Sequence, residues 1–286
     1  MTVLFDALAS LCKFQFICFV RPICLLSIIL IFISEVTSME PIYQKEFEID
    51  DSRVDCFGRM KPSQILYVAQ EMGGEHSALM ALDYDTLAKR RLFWAVTRHR
   101  VQITRLPRRG ETIRVETWPM PTTRAAYPRS VVAYDAQGNE CFRSISLWVL
   151  MDLDTRNMIL PGKSGITVSG ALRGTELAVP QSLAPGQLRN RRQRTVCYTD
   201  LDRNGHMNNT RCLDWVDDLL PSEFHGLHRV REFTVCYYSE GREGQELELR
   251  WDFPQSGMLQ ADSYRREGST ENRVFALRIT YDDRVL

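Results

Sequence analysis

Apolar and polar positions along this chain follow two rhythms, and both occur twice in the same order. Ile65, Leu66, Ala69, Met72, Gly73 and His76 fall on one face of a helix that Ser63 is placed to cap. Cys212, Trp215, Val216, Leu219 and Leu220 share a second helical face, which Asn208 or Asn209 can cap and Pro221 stops. Period-two strands follow each helix. Val101-Gln102-Ile103 leads through Arg109-Gly110-Glu111 to Ile113, Val115 and Thr117; Val235-Cys236-Tyr237 leads through Glu243-Gly244-Gln245 to Leu247, Leu249 and Trp251. More strand closes each set. Val131 to Tyr134 turns at Gln137-Gly138-Asn139 into Cys141 to Met151, and Leu259 to Tyr264 is followed by Val274 to Tyr281.

A short turn before each helix makes the repeat explicit. Asp55-Cys56-Phe57-Gly58-Arg59-Met60 matches Asp202-Arg203-Asn204-Gly205-His206-Met207 at Asp, Gly and Met, always 147 residues apart (202 − 55, 205 − 58, 207 − 60). After the helices the offset falls to 134 (244 − 110, 247 − 113), so the first unit has the longer helical region. The pattern predicts an α+β fold: turn, helix, then antiparallel strands, twice, with each apolar helix face buried against a sheet. This divides the body into a unit at 39–160, a Gly- and Pro-rich linker at 161–188, and a unit at 189–286.

Residues 1–38 read differently. Their densest apolar run, Ile23 to Ile33, is shorter than the ~20 residues that span a bilayer. Lys13 and Arg21 ahead of it, with Val36-Thr37-Ser38 behind, resemble a secretory signal; the alternative is a start called too early, with Met39 as the first residue.

The chain has 286 residues, 44% of them hydrophobic, which excludes a collagen-like or largely disordered protein. Lysine plus arginine and aspartate plus glutamate both number 36, so no whole-chain basic footprint for nucleic acid exists. Beyond the leader, Cys56, Cys141, Cys197, Cys212 and Cys236 are odd in number and widely spaced. They suit free thiols in a reducing, cytoplasmic setting better than a disulfide framework.

Familiar catalytic signatures are missing. Pro161-Gly162-Lys163-Ser164 ends like a phosphate-binding loop, but Asn157 stands where that loop needs Gly, so it reads as a linker turn. His225 and His228 lack further ligands at zinc spacing. The segment Asp200-Leu201-Asp202-Arg203-Asn204-Gly205-His206-Met207-Asn208-Asn209 is different: it packs carboxylate, carboxamide and imidazole before a helix. Free N–H groups at that helix start, with Asn204, could polarise a carbonyl oxygen, and a carboxylate or His206 could activate water. The competing reading is that Asp202 and Asn208 only cap a turn and a helix.

That segment resembles the acyl-acyl carrier protein thioesterases of the fatty-acid type, built from two tandem hot-dog units. It matches seven of the nine fixed positions of their D-L-D-x-N-Q-H-V-N-N pattern, departing at Gly205 and Met207. Val54-Asp55 to Gln70-Glu71, Leu92-Phe93-Trp94 and Trp118-Pro119 also fit the family, and the resemblance runs from about residue 43 to the C-terminus.

The resemblance implies hydrolysis of a fatty acyl thioester on acyl carrier protein, with Asp202, Asn204 and His206 catalytic. The first copy holds Asp55, Phe57 and Arg59 there, which implies one active site per chain and leaves the first unit to shape the acyl pocket. A fourth position is open. Plant members carry Tyr-x-x-Glu-Cys-Gly-Arg, and this chain has Tyr237-Tyr238-Ser239-Glu240-Gly241-Arg242. Aligned on tyrosine, Glu240 matches the family's Glu; aligned on Gly-Arg, it replaces the Cys, and a one-residue shift reverses the strand face. Either way a cysteine nucleophile is excluded at this spot. No metal or organic cofactor is implied. The acidic carrier implies a basic docking face, either Arg189, Arg191, Arg192 and Arg194, or Lys89, Arg90 and Arg91. The rival readings are an acyl-coenzyme A thioesterase and a non-catalytic acyl-binding protein, and a homodimer is left open.

Overall fold

In the computed structural model, which describes residues 42–282, the two groups of strands join in one antiparallel sheet. The leader reading of residues 1–38 lies outside the described residues. The first group is β1 (Tyr43–Glu48), β2 (Leu92–Ile103), β3 (Thr112–Pro119), β4 (Tyr127–Tyr134) and β5 (Glu140–Asp152), with the short β6 (Met158–Ile159) paired to β5. The second is β7 (Asn190–Thr195), β8 (Val230–Tyr237), β9 (Glu246–Gln255), β10 (Met258–Glu267) and β11 (Thr270–Tyr281).

Across the sheet the order is β1-β3-β4-β5-β2-β8-β11-β10-β9-β7. From either edge inward the connectivity is the same, so the halves are related by a pseudo-twofold through the β2–β8 seam. At that seam Arg100 pairs with Thr234, its own counterpart at the offset of 134 (234 − 100). The edges agree: Tyr43 pairs with Thr117 and Asn190 with Trp251, which places β7 147 residues after β1 and β9 134 after β3.

The helices are α1 (Pro62–Leu79), α2 (Tyr84–Ala88), α3 (Pro161–Ser164), α4 (Arg211–Asp217) and α5 (Ser222–Leu227). The longer first helix is borne out, at 18 residues against seven for α4. α1 buries the expected face, including Ile65, Leu66, Ala69, Met72, Gly73 and His76. Its cap differs from expectation: Lys61 is the N-cap and Pro62 opens the helix, because proline has a preset φ and no N–H to satisfy. Ser63 is instead buried inside the first turn.

The second helix is shorter than its apolar pattern suggests. It ends at Asp217, and Pro221 is the N-cap of α5 rather than simply stopping a helix. Thr210 is its N-cap, and Asn208 Oδ1 accepts the Thr210 N–H at 3.0 Å. α1 and α4 touch each other, α1 lies on β1 and β3, and α4 on β11. Their apolar faces merge into one core with Phe142, Phe233 and the fully buried Trp215. Truncating a side chain such as Trp215 to Ala typically costs about 3–5 kcal/mol.

The stretch between the units holds only α3 as regular structure. It is nevertheless packed: Gly170 lies against the Met120 backbone with no room for a Cβ, and the Ala171 N–H donates to Pro119 O at 3.0 Å. Among the described residues no helix is long and apolar enough to cross a membrane.

Candidate active site

The two turns share a backbone. In the first, the Asp55 N–H donates to Arg59 O at 2.8 Å and the Gly58 N–H to Asp55 O at 3.0 Å. In the second, the Asp202 N–H donates to His206 O at 2.7 Å and the Gly205 N–H to Asp202 O at 3.0 Å. Gly58 and Gly205 have φ of +69° and +73°, where a side chain is strained, which explains glycine at both places. Val54 bridges Met60 and Leu201 bridges Met207, again 147 residues apart.

Each aspartate ties its own turn. Asp55 Oδ1 accepts the Phe57 and Arg59 N–H groups, both at 2.9 Å. Asp202 Oδ1 accepts those of Asn204 at 2.8 Å and His206 at 3.2 Å. Asp202 Oδ1 thus ties its turn as Asp55 Oδ1 does in a copy that lacks Asn and His, while among the described residues Asp202 Oδ2 meets only the Asn204 amide.

The side chains beyond the aspartates differ. Asn204 is exposed, with its Nδ2 3.4 Å from Asp202 Oδ2. His206 is largely buried, and its Nε2 lies 3.2 Å from Glu240 Oε2. Glu240 follows β8, and the bridge between His206 and Arg242 brings that segment alongside the turn. The other Glu240 oxygen, Oε1, lies 3.2 Å from Arg156 Nη1. Glu240 is thus engaged on both oxygens rather than being a bare surface charge.

Asp202, Asn204, His206 and Glu240 line one cleft of about 700 Å³. Its other walls include Gln70 from α1, Phe93 and Trp94 from β2, and Trp148 from β5, so both units build it. A Cβ at Gly241, beside Glu240, would sit 3.4 Å from Met207 Cβ, so this glycine packs against one of the motif's two departures. Cys212 also lines the cleft, but burial pushes its thiol up to about 12, and its Sγ donates to Asn209 O at 2.8 Å. It is a packed thiol, not a thiolate nucleophile.

One expectation changes here. The helix-start N–H groups of Thr210 and Arg211 are already taken by Asn208, through Oδ1 and O respectively, so neither is free to hold a carbonyl oxygen. Three of the four arginines at 189–194 form ion pairs within the fold. Arg189 pairs with Asp252, Arg191 with Glu248 and Arg194 with Asp218, while Arg192 donates to Asp218 O. Arg156 is a site residue that pattern reading missed: it sits in the β5–β6 turn, 84 residues from Glu240.

The counterpart region in the first unit is closed by different chemistry. Arg59 pairs with Asp55 at 2.9 Å and donates to His225 O at 2.8 Å, and Phe57 packs on Gly226 of α5. Asp55, Asp214, Asp217 and Asp218 line a cavity of about 800 Å³ there. The five cysteines among the described residues are free thiols, Cys56 and Cys197 exposed and the rest buried.

Comparison with known proteins agrees with this architecture. The chain is 24% identical over 223 residues to an oleoyl-acyl carrier protein thioesterase of Arabidopsis thaliana, covering 69% of this chain and 60% of that protein. It thus spans about 60% of the length of such curated relatives. The solved structure of an acyl-ACP thioesterase from Bacteroides thetaiotaomicron superposes with a TM-score of 0.75 at 23% identity, covering 85% of this chain and 98% of that one. The 12:0-ACP thioesterase of Umbellularia californica gives 0.72 at 22%, covering 86% and 98%. These likenesses show the tandem hot-dog fold. Residues 40–160 match the acyl-ACP thioesterase N-terminal domain and residues 185–282 the C-terminal domain, so the chain belongs to the acyl-ACP thioesterase family.

Proposed function

We propose that the protein hydrolyses fatty acyl thioesters on acyl carrier protein, releasing the free fatty acid. The observation that carries this reading is the contact between His206 Nε2 and Glu240 Oε2, 3.2 Å apart, in a cleft that also presents Asn204. A carboxylate–imidazole pair of this kind contributes about 10²–10⁴ in rate by moving protons in the transition state. Glu240 takes a proton from water as the water oxygen bonds to the thioester carbon. The Asn204 amide donates to the oxygen that becomes negative. As the carbon–sulfur bond breaks, the proton passes through His206 to the leaving thiolate. Asp202 holds the turn so that Asn204 and His206 point into the cleft.

The first unit supplies cleft wall rather than a second set of catalytic groups, since Phe57 and Arg59 replace Asn204 and His206. For the carrier, the side of α2 with Lys89, Arg90 and Arg91 is a docking face beside the cleft. Tyr84 lines the cleft, Arg203 stacks on it at 4.4 Å and pairs with Asp85 at 3.5 Å, and Lys89 is the C-cap of the same helix, while Arg91 pairs with Asp154. The free thiols fit a reducing, cytoplasmic location.

The test is hydrolysis by the purified full chain of a ladder of acyl-acyl carrier protein thioesters, beside the coenzyme A thioesters of equal length. Preference for the carrier thioesters supports the proposal. Preference for coenzyme A moves the substrate class, and binding without turnover favours a non-catalytic role.

A further inference from the structure

Resting on the hydrolytic reading above, we infer that Arg156, contributed by the first hot-dog unit, is a positioning residue that holds Glu240 of the second unit aimed at His206.

Three observations converge on this residue. First, the backbone at Arg156 has φ of +57°, a left-handed conformation in which glycine or asparagine is the cheaper choice. The turn that imposes it is tightly made. Asp152 Oδ1 accepts the Asp154 and Thr155 N–H groups at 3.0 and 2.7 Å, and the Arg156 N–H donates to Asp152 O at 3.0 Å. A long cation at a position that favours glycine is a departure whose explanation lies in what the side chain reaches. Second, the guanidinium is stacked, its carbon 4.9 Å from the centre of the Phe93 ring, and Phe93 is itself a wall of the cleft. Third, its Nη1 meets Glu240 Oε1 at 3.2 Å, while Oε2 of the same carboxylate faces His206.

The consequence is a division of labour on one carboxylate. With Oε1 turned to Arg156, the carboxylate cannot rotate freely, and Oε2 stays against the imidazole. Charged groups near Glu240 among the described residues include Asp202 and Arg203 in the catalytic turn, Arg242 two positions along the chain, and Arg265 on β10, which donates to Glu240 O. Asp202 is the only other acid among these, and its Oδ1 is occupied by the turn. The Arg156–Glu240 pair is about half exposed, so its electrostatic effect lies at the low end of what a buried pair gives.

Arg156→Gly tests this without confusing function with folding, because glycine relieves the left-handed backbone and the variant should unfold no earlier than wild type. With lauroyl-acyl carrier protein as the probe, its kcat should fall about 3–10-fold with KM little changed. Arg156→Lys should recover part of the lost kcat. Independently of turnover, the NMR resonances of the His206 ring should shift in Arg156→Gly, because Glu240 Oε2 is no longer held against Nε2, and should return toward wild type in Arg156→Lys. An active wild type with unmoved kcat and unmoved His206 resonances in Arg156→Gly overturns the role of Arg156 alone. Absence of hydrolysis by wild type overturns the reading of the site, and the His206 resonances then still decide whether Arg156 holds the pair together.

Discussion

The turn at Asp55 and the turn at Asp202 are the same piece of backbone carrying different chemistry. Both aspartates tie two backbone N–H groups, both glycines take positive φ, and both turns lead into a helix. In the first, Arg59 folds back onto Asp55 and the chain of α5; in the second, His206 faces Glu240 across a cleft. What survives in both copies is architecture, and what differs is the machinery. By that criterion we propose that Asp202 ties the shared turn, and its part in the chemistry is what Asp202→Asn tests.

The largest effects should come from what only the second turn has. His206→Ala and Glu240→Gln should each lower kcat by about 10²–10⁴ while thermal unfolding stays close to wild type. Arg59→Ala should do the reverse, leaving kcat within a few-fold and lowering Tm, because it removes an ion pair and a bond to His225 O. A His206→Ala variant with near-normal turnover would end the assignment of chemistry to this turn.

Next in size is Asn204→Ala. Loss of one oriented oxyanion donor typically costs about 10²–10³ in kcat with KM little affected. A change confined to KM would make Asn204 a substrate-binding residue instead. Its counterpart change, Phe57→Ala, removes packing on Gly226 and should appear in stability alone.

Asp202→Asn asks whether the shared residue also does chemistry. Asparagine keeps an acceptor oxygen for the two N–H groups and loses the charge. If Asp202 only ties the turn, Asp202→Asn and Asp55→Asn should lose similar stability, about 1–2 kcal/mol or less, by denaturant unfolding. Turnover should stay within about tenfold of wild type. A 10³-fold loss confined to Asp202→Asn would make it a proton acceptor and restore it to the catalytic set.

Much of this comparison was legible in the sequence because it rests on offsets. The spacing of 147 before the helices and 134 after them reappears in the strand registers and at the Arg100–Thr234 seam. The hydrophobic rhythm could not show β7, Asn190–Thr195, an edge strand with no apolar residue and only Arg194 withdrawn from solvent to any degree. It also joined Leu219 and Leu220 to α4, although the chain turns there before α5. His206 and Asn204 were visible as a motif. Glu240 was named but left between two registers, and the structure sets it against His206. Arg156 carried no signal, because its relation to Glu240 exists only after β2 pairs with both β5 and β8 and so brings the β5–β6 turn near the end of β8.

The smallest effect concerns the acids that fill the first-unit side. Asp217 Oδ1 has no hydrogen-bond partner among the described residues, and burial, followed by the charges of Asp214, Asp218 and Asp55, pushes its carboxyl up to about 8. The folded protein therefore holds a proton there that the unfolded chain releases near pH 4. Between those values the folded state binds more protons, so this group's contribution to stability declines as pH rises from about 4 to 8. Asp217→Asn copies the protonated form and removes that decline. Its Tm should lie close to wild type near pH 4 and exceed it by a few degrees at pH 8.5, a modest gain because part of the residue still meets solvent. The same substitution should leave the kcat/KM profile unmoved, since Asp217 lines the first-unit cavity and not the cleft that holds His206 and Glu240. A Tm difference independent of pH would mean that Asp217 is ionised in the fold. A moved activity profile would mean that the two sides are electrostatically coupled, and the separation of architecture from machinery would have to be redrawn.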